Sequence, residues 1–221
     1  MSTTIDRISE VDRITEIGLL PVVVLEDAGQ ATDLAGALIE GGLPVAEITF
    51  RTKAAASAIA AISSDPRILV GAGTVVTVEQ VDRAVDAGAK FVVSPGFSRT
   101  IVERCAELGV LTIPGAVTAT EIMAAIDAGL SLVKFFPAGS SGGPGAVKSL
   151  SAPFAGLGFV PTGGIDASNV ADYFAVPSVR AVGGSWMVPP DAIASGSFDL
   201  VRDLVASSVN AVRMARAVSD R

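Results

Sequence analysis

The chain contains no histidine and a single cysteine, Cys105, in 221 residues. These absences exclude the common zinc constellations, a Ser-His-Asp triad and an internal disulfide framework. Proton transfer therefore falls to Glu, Asp, Lys, Tyr or water, and no metal or organic cofactor is expected. Charged residues make up only 18% of the chain and sum to −7, which disfavours nucleic acid or an anionic membrane as the partner. A small anionic substrate stays open, because a few local donors can hold one phosphate. Long apolar runs are missing too. The stretch Leu19–Leu25 is bracketed by Glu16 and Glu26 and is far too short to cross a bilayer. The first 18 residues mix acids and bases without an apolar h-region, so no signal peptide is expected. Cys105 sits in a helical pattern, IVERCAELG, where a buried structural thiol fits better than a reactive one. A reducing cytoplasm suits all of these features.

Half of the residues are apolar, enough for one large core. Short β-branched runs alternate with Ala-rich amphipathic segments throughout. The candidate strands are Leu20–Leu25, Val45–Phe50, Ile68–Ala72, Phe91–Ser94, Leu111–Ile113, Leu132–Phe136, Phe159–Thr162 and Val179–Val182. Helical patterns between them include DLAGALIEGG, VEQVDRAVDAGA, TIVERCAELG and ATEIMAAIDAGL, and Gly88, Gly109 and Gly129 stand where C-caps belong. Strands apolar on both faces, in βα alternation, predict a closed parallel (β/α)₈ TIM barrel, with an open Rossmann-like sheet as the runner-up. An N-terminal helix over Ile5–Ile17 precedes the first strand. No linker or composition break divides residues 1–221, which read as one domain. In such a barrel, function collects at the C-terminal ends of the strands.

Lys134 lies in Leu132-Val133-Lys134-Phe135-Phe136-Pro137, an otherwise apolar sixth strand. Burial disfavours the charged form of an amine, and a neutral buried amine is what Schiff-base chemistry needs. The plainer alternative is a lysine snorkelling to the barrel mouth. The other lysines, Lys53, Lys90 and Lys148, occupy helical or loop contexts. In the second strand, alternation places Val45, Glu47, Thr49 and Arg51 on one face. Glu47 would then sit inside and Arg51 at the rim, about 13 Å apart along the backbone, where a guanidinium could hold a carboxylate. A structural ion pair across strands is the alternative. Glycine-rich turns follow strands three, seven and eight: Gly71-Ala72-Gly73-Thr74, Pro161-Thr162-Gly163-Gly164-Ile165 and Val182-Gly183-Gly184-Ser185-Trp186. Each could be only a tight turn, but the last two fall where barrels often bind phosphate through backbone amides. Gly163, Gly164 and Gly184 with Ser185 would supply such a nest. Residues 139–145, GSSGGPG, lack the ending of a phosphate loop and read as a flexible loop covering the site.

With these residues in place, the sequence resembles the 2-keto-3-deoxy-6-phosphogluconate (KDPG) and 4-hydroxy-2-oxoglutarate (KHG) aldolase family. The resemblance runs from about Val11 to the C-terminal helix. It is carried by GGLPVAEITFRT (41–52), VGAGTV (70–75), SPGF (94–97), IPG (113–115), VKFFPA (133–138), PTGGI (161–165) and GGSWMVP (183–189). It implies a class I aldolase, with Lys134 as the Schiff-base lysine and Glu47 as general acid/base working through water. It implies Arg51, Thr74 and Pro95 around the pyruvate half of the substrate, with Phe136 beside it. Thr162, Gly163, Gly164 and Ser185 would line the phosphate side. A metal-free cytoplasmic homotrimer of the Entner–Doudoroff pathway is the expected assembly and setting. Many relatives carry Glu after KFFPA where this chain has Gly139, which bears on substrate preference. Two other functions stay open: an aldolase for a related keto acid such as 2-dehydro-3-deoxy-6-phosphogalactonate, and a phosphate-ligand-binding barrel without aldolase activity.

Overall fold

The computed structural model describes residues 3–219. Helix α1 (Thr3–Ile17) precedes strand β1 (Leu19–Val23), and the chain then alternates. In order come α2 (Ala31–Glu40), β2 (Val45–Thr49), α3 (Ala55–Ile62), β3 (Leu69–Gly73), α4 (Val78–Asp86), β4 (Phe91–Val93), α5 (Arg99–Leu108), β5 (Leu111–Ile113), α6 (Ala119–Asp127) and β6 (Leu132–Phe135). The last part runs α7 (Gly143–Ser151), β7 (Gly158–Pro161), α8 (Val170–Phe174), β8 (Val182–Gly184), α9 (Pro190–Ala194) and α10 (Phe198–Ser219).

The strands form a curled parallel sheet of six, ordered β5-β4-β3-β2-β1-β8, with β6 and β7 as a separate parallel pair. Single bridges, Gly115 to Lys134 and Thr162 to Gly183, link the two sheets. Every residue of β1, β2 and β3 is buried, as parallel strands packed on both faces must be. Helices carry an apolar face inward, such as Val81 and Ala84 of α4 and Ile122 and Ala125 of α6. None of the described helices is long and apolar enough to cross a membrane.

The expected glycine stops hold: Gly109 caps α5 in the left-handed region, and Gly88 and Gly129, one residue past their caps, also have positive φ. Two expectations need correction. The eighth strand begins at Val182, not Val179, because Gly183 and Gly184 pair with Leu20 and Pro21 instead of forming a turn. Residues 139–145 are not all loop, since α7 starts at Gly143 with Pro144 in its first turn, where the missing amide hydrogen costs nothing. At the closing end, Arg216 of α10 donates to the carbonyls of Thr15 (2.6 Å), Glu16 (2.8 Å) and Arg180 (2.9 Å).

Helix α6 opens with a capping box. The Glu121 amide donates to the Thr118 hydroxyl at 3.3 Å, and the Glu121 carboxylate accepts from the Thr118 amide at 2.9 Å. Partial burial pushes that carboxyl up, but bonds from the Val117 amide and from the Thr118 hydroxyl and amide outweigh it and hold it below its ordinary 4.5. A depressed folded-state value stabilises the fold above the unfolded value, and the benefit disappears as pH falls through the folded one. Glu121→Ala should therefore cost about 1 kcal/mol at neutral pH. In urea melts, the gap from the parent protein should shrink once pH drops below that ordinary value.

Candidate active site

Glu47 is the middle residue of β2, laddered to Val22 of β1 and Gly71 of β3. Lys134 is held from both sides in β6: its amide donates to Pro114 O and its carbonyl accepts from Ala116 N, both at 2.8 Å, while Val160 of β7 pairs with it. These two strands are not ladder neighbours. Their side chains nevertheless meet, Lys134 Nζ to Glu47 Oε1 at 3.3 Å, with the residues 5% and 0% exposed. The second carboxylate oxygen, Oε2, is buried and accepts no hydrogen bond from the described residues. Such an acceptor suits an incoming hydroxyl or water, because buried polar atoms ordinarily find partners. The Phe136 ring lies beside the amine, its centroid 5.3 Å from Nζ.

Gly73 makes this contact possible. A Cβ there would run into the Glu47 carboxylate, and one at Gly71 would run into the Phe91 ring. Both glycines belong to β3 rather than to the turn expected of them. A glycine inside a strand marks close approach of a neighbour. The sequence carries that signal, masked by the likeness of Gly71-Ala72-Gly73-Thr74 to a tight turn.

Thr74 follows directly, at φ 56°, and is the one non-glycine residue with positive φ among those described. A β-branched residue in that region is an outlier costing about 1–3 kcal/mol, of the kind that gathers at functional sites. Arg51 lies two residues beyond the end of β2 and is exposed, with no hydrogen bond or ion pair among the described residues. Strand alternation therefore does not place it. Pro95, half-buried, follows β4, and its carbonyl is so close to Gly115 that a Cβ at 115 would strike it.

A second group forms after β7. Thr162 is buried, and a Cβ on Gly183 would meet its hydroxyl. Gly163 (φ 97°) and Gly164 (φ 75°) occupy backbone conformations that a side chain would strain. A Cβ at 163 would also press on the Phe136 ring at 3.4 Å, so this turn abuts the lysine's neighbour. Gly139 belongs here as well, its amide donating to Gly163 O at 2.9 Å. Ser168 donates from its hydroxyl (2.5 Å) and its amide (2.8 Å) to Asp166, holding that carboxyl below the usual carboxylate range. Gly184 lies in β8, where a Cβ would collide with the Trp186 ring, and Ser185 follows it, exposed. A separate cavity of about 390 Å³ lies at the opposite strand ends between Val11, Val102, Leu111 and Leu130. Asp12 is its single titratable side chain, so it offers no paired acid and base.

Residues 11–204 match the family described as KDPG and KHG aldolase. The 2-dehydro-3-deoxy-phosphogluconate aldolase of Treponema pallidum (strain Nichols) is 48% identical over 202 residues, covering 91% of this chain and 96% of its own. The KHG/KDPG aldolase of Escherichia coli (strain K12) is 40% identical over 197 residues, 89% and 92% of the two chains. A crystal structure of KDPG aldolase from Legionella pneumophila, with pyruvate captured at low pH as a covalent carbinolamine intermediate, superimposes with a TM-score of 0.83. The two are 38% identical, and the match covers 86% of this chain and 93% of that one.

Because Gly73 abuts the carboxylate itself, Gly73→Ala should destabilise the protein by about 1–3 kcal/mol through overpacking. Gly96→Ala, at an exposed site with open space around the added carbon, should stay within about 0.5 kcal/mol of the parent. Urea denaturation of the two variants checks the contrast, and equal losses would mean that the Glu47 wall yields freely.

Proposed function

Because this chain belongs to the KDPG and KHG aldolase family, we propose that it cleaves 2-dehydro-3-deoxy-6-phosphogluconate through an imine on Lys134, releasing pyruvate and D-glyceraldehyde 3-phosphate. The observation that carries the residue assignment is the buried 3.3 Å contact between Lys134 and Glu47. A phosphate-binding barrel without chemistry has no use for an amine and a carboxylate brought together from separate strands.

The amine attacks the keto carbon, and loss of water from the carbinolamine leaves an iminium. The carbon–carbon bond one atom further on then breaks, its electron pair flowing into the iminium to give an enamine. Glu47, through water, takes the proton of the substrate's carbon-4 hydroxyl as the aldehyde forms. It then returns a proton to the enamine, and hydrolysis releases pyruvate. Thr162, Gly163, Gly164, Gly184 and Ser185 form the phosphate side, and Arg51, Thr74, Pro95 and Phe136 surround the pyruvate half. A substrate bridging these groups would exclude water and strengthen every contact to developing charge.

The two sheets read together as one closed (β/α)₈ barrel in a single domain. The bridges at Gly115–Lys134 and Thr162–Gly183 support that closure, as does the meeting of β2 and β6 side chains. Cleavage of 4-hydroxy-2-oxoglutarate to pyruvate and glyoxylate is a second activity of the same site, since it needs no phosphate contact. The family resemblance further supports a cytoplasmic homotrimer in the Entner–Doudoroff pathway.

Lys134 is buried while Lys53, Lys90 and Lys148 are exposed. Borohydride with pyruvate should therefore inactivate the protein and add one pyruvyl group, which peptide mass mapping should find on Lys134. An adduct on any other lysine overturns the assignment, and Lys134→Arg should be inactive because a guanidinium stays protonated. Glu47→Gln should slow turnover by about 10²–10⁴-fold yet still be trapped by borohydride. Loss of trapping along with turnover would place Glu47 in imine formation instead.

A further inference from the structure

Asn169 stands at the N-cap of α8, but its side chain makes no capping bond to its own helix. It reaches back, with Nδ2 donating to Gly164 O at 3.0 Å and Oδ1 accepting from the Asp166 amide at 3.0 Å. That bond completes a series. Thr162 O accepts from Ala138 N at 2.8 Å, Gly163 O accepts from Gly139 N at 2.9 Å, and Gly164 O accepts from Asn169. Carbonyl and following amide point opposite ways across a trans peptide. Three bound carbonyls therefore fix the direction of three consecutive amides, those of Gly163, Gly164 and Ile165. None of the three donates to an atom of the described residues.

Two of these locks come from the β6–α7 connection as backbone, but the third is one side chain. Gly164 has a positive φ and no Cβ, so the Gly164–Ile165 peptide has little else to stop it from rotating. We infer that Asn169 is a positioning residue for this turn. By holding the Gly164 carbonyl it keeps the amides aimed at an anionic oxygen, and so sets the preference for phosphorylated over unphosphorylated keto acids. The inference rests on the phosphate reading of the 162–164 turn given above. No lysine or arginine occurs in residues 161–169, so discrimination there depends on the direction of neutral donors, which a free peptide rotation would erase.

The test compares Asn169→Ala and Asn169→Ser with the parent. Serine preserves a good N-cap for α8 but is too short to reach Gly164. Two quantities are read: KM for 2-dehydro-3-deoxy-6-phosphogluconate, and the pyruvate concentration giving half-maximal inactivation by borohydride, which involves no phosphate. Both variants should raise KM about tenfold, the scale of one oriented donor to a charged oxygen. The kcat and the pyruvate value should stay within about twofold. Ser168→Ala loosens the same turn without touching the Gly164 carbonyl and should change neither quantity. An unchanged KM in the Asn169 variants, an equal shift in the pyruvate value, or a matching rise in Ser168→Ala overturns the positioning role. Gly163→Ala and Ser185→Ala report on the phosphate site itself. If they raise KM selectively while the Asn169 variants do not, the inference fails and the site stands; if they too leave KM unchanged, both fall.

Discussion

A lysine and a glutamate buried within 3.3 Å of one another are the constraint on which the rest of this molecule depends. Either group alone in that place would cost several kcal/mol in lost hydration, and together they gain little over two well-packed apolar residues. The pair is therefore poorly explained by stability. It fits the proposed imine chemistry, in which Lys134 supplies the attacking amine beside a carboxylate. Other features follow from making room for it. Gly73 and Gly71 thin β3 next to Glu47, the Thr49 hydroxyl turns away to the Val23 carbonyl at 2.8 Å, and the amide and carbonyl of Lys134 are both tied to the segment after β5.

The proposed phosphate side follows a different design. It sits on an acidic chain and presents amides, a hydroxyl and glycines in place of a cationic cluster. Neutral donors discriminate by direction, so the surrounding carbonyls matter as much as the amides. The connection from Ala138 to Gly142 holds two of those carbonyls, its Ala138 and Gly139 amides donating to Thr162 and Gly163 before the chain enters α7.

Much of this was legible in the sequence, for identifiable reasons. Strands β1 to β7 are short apolar runs bounded by polar residues, and their positions follow within one or two residues. Lys134 and Glu47 stood out because each is the charged residue in a strand that burial makes uniformly apolar. What was hidden was hidden by glycine and by side-chain direction. Gly183 and Gly184 look like a turn, yet they are ladder residues in β8, kept free of Cβ by the Thr162 hydroxyl and the Trp186 ring. Alternation assigns Arg51 two residues past the point where β2 stops. Asn169 carries no signal of its own, because an asparagine before a helix ordinarily caps that helix.

The pairing of β1 with β8, Leu19 against Val182, has a consequence during synthesis. Strand β1 is buried throughout and is among the first elements to leave the ribosome, but one of its edges has no partner until some 160 residues later. At about 5–20 residues per second, that edge stays open for on the order of ten to thirty seconds. An unpaired apolar strand edge is a template for association with other chains. Proline does not blunt that edge: the Gly18 carbonyl accepts from the Val182 amide, so by strand alternation Leu20 and Val22 face β8, while Pro21, without an amide hydrogen, faces β2. The nascent strand thus keeps the Leu20 and Val22 amides on offer to any foreign strand until β8 has been made.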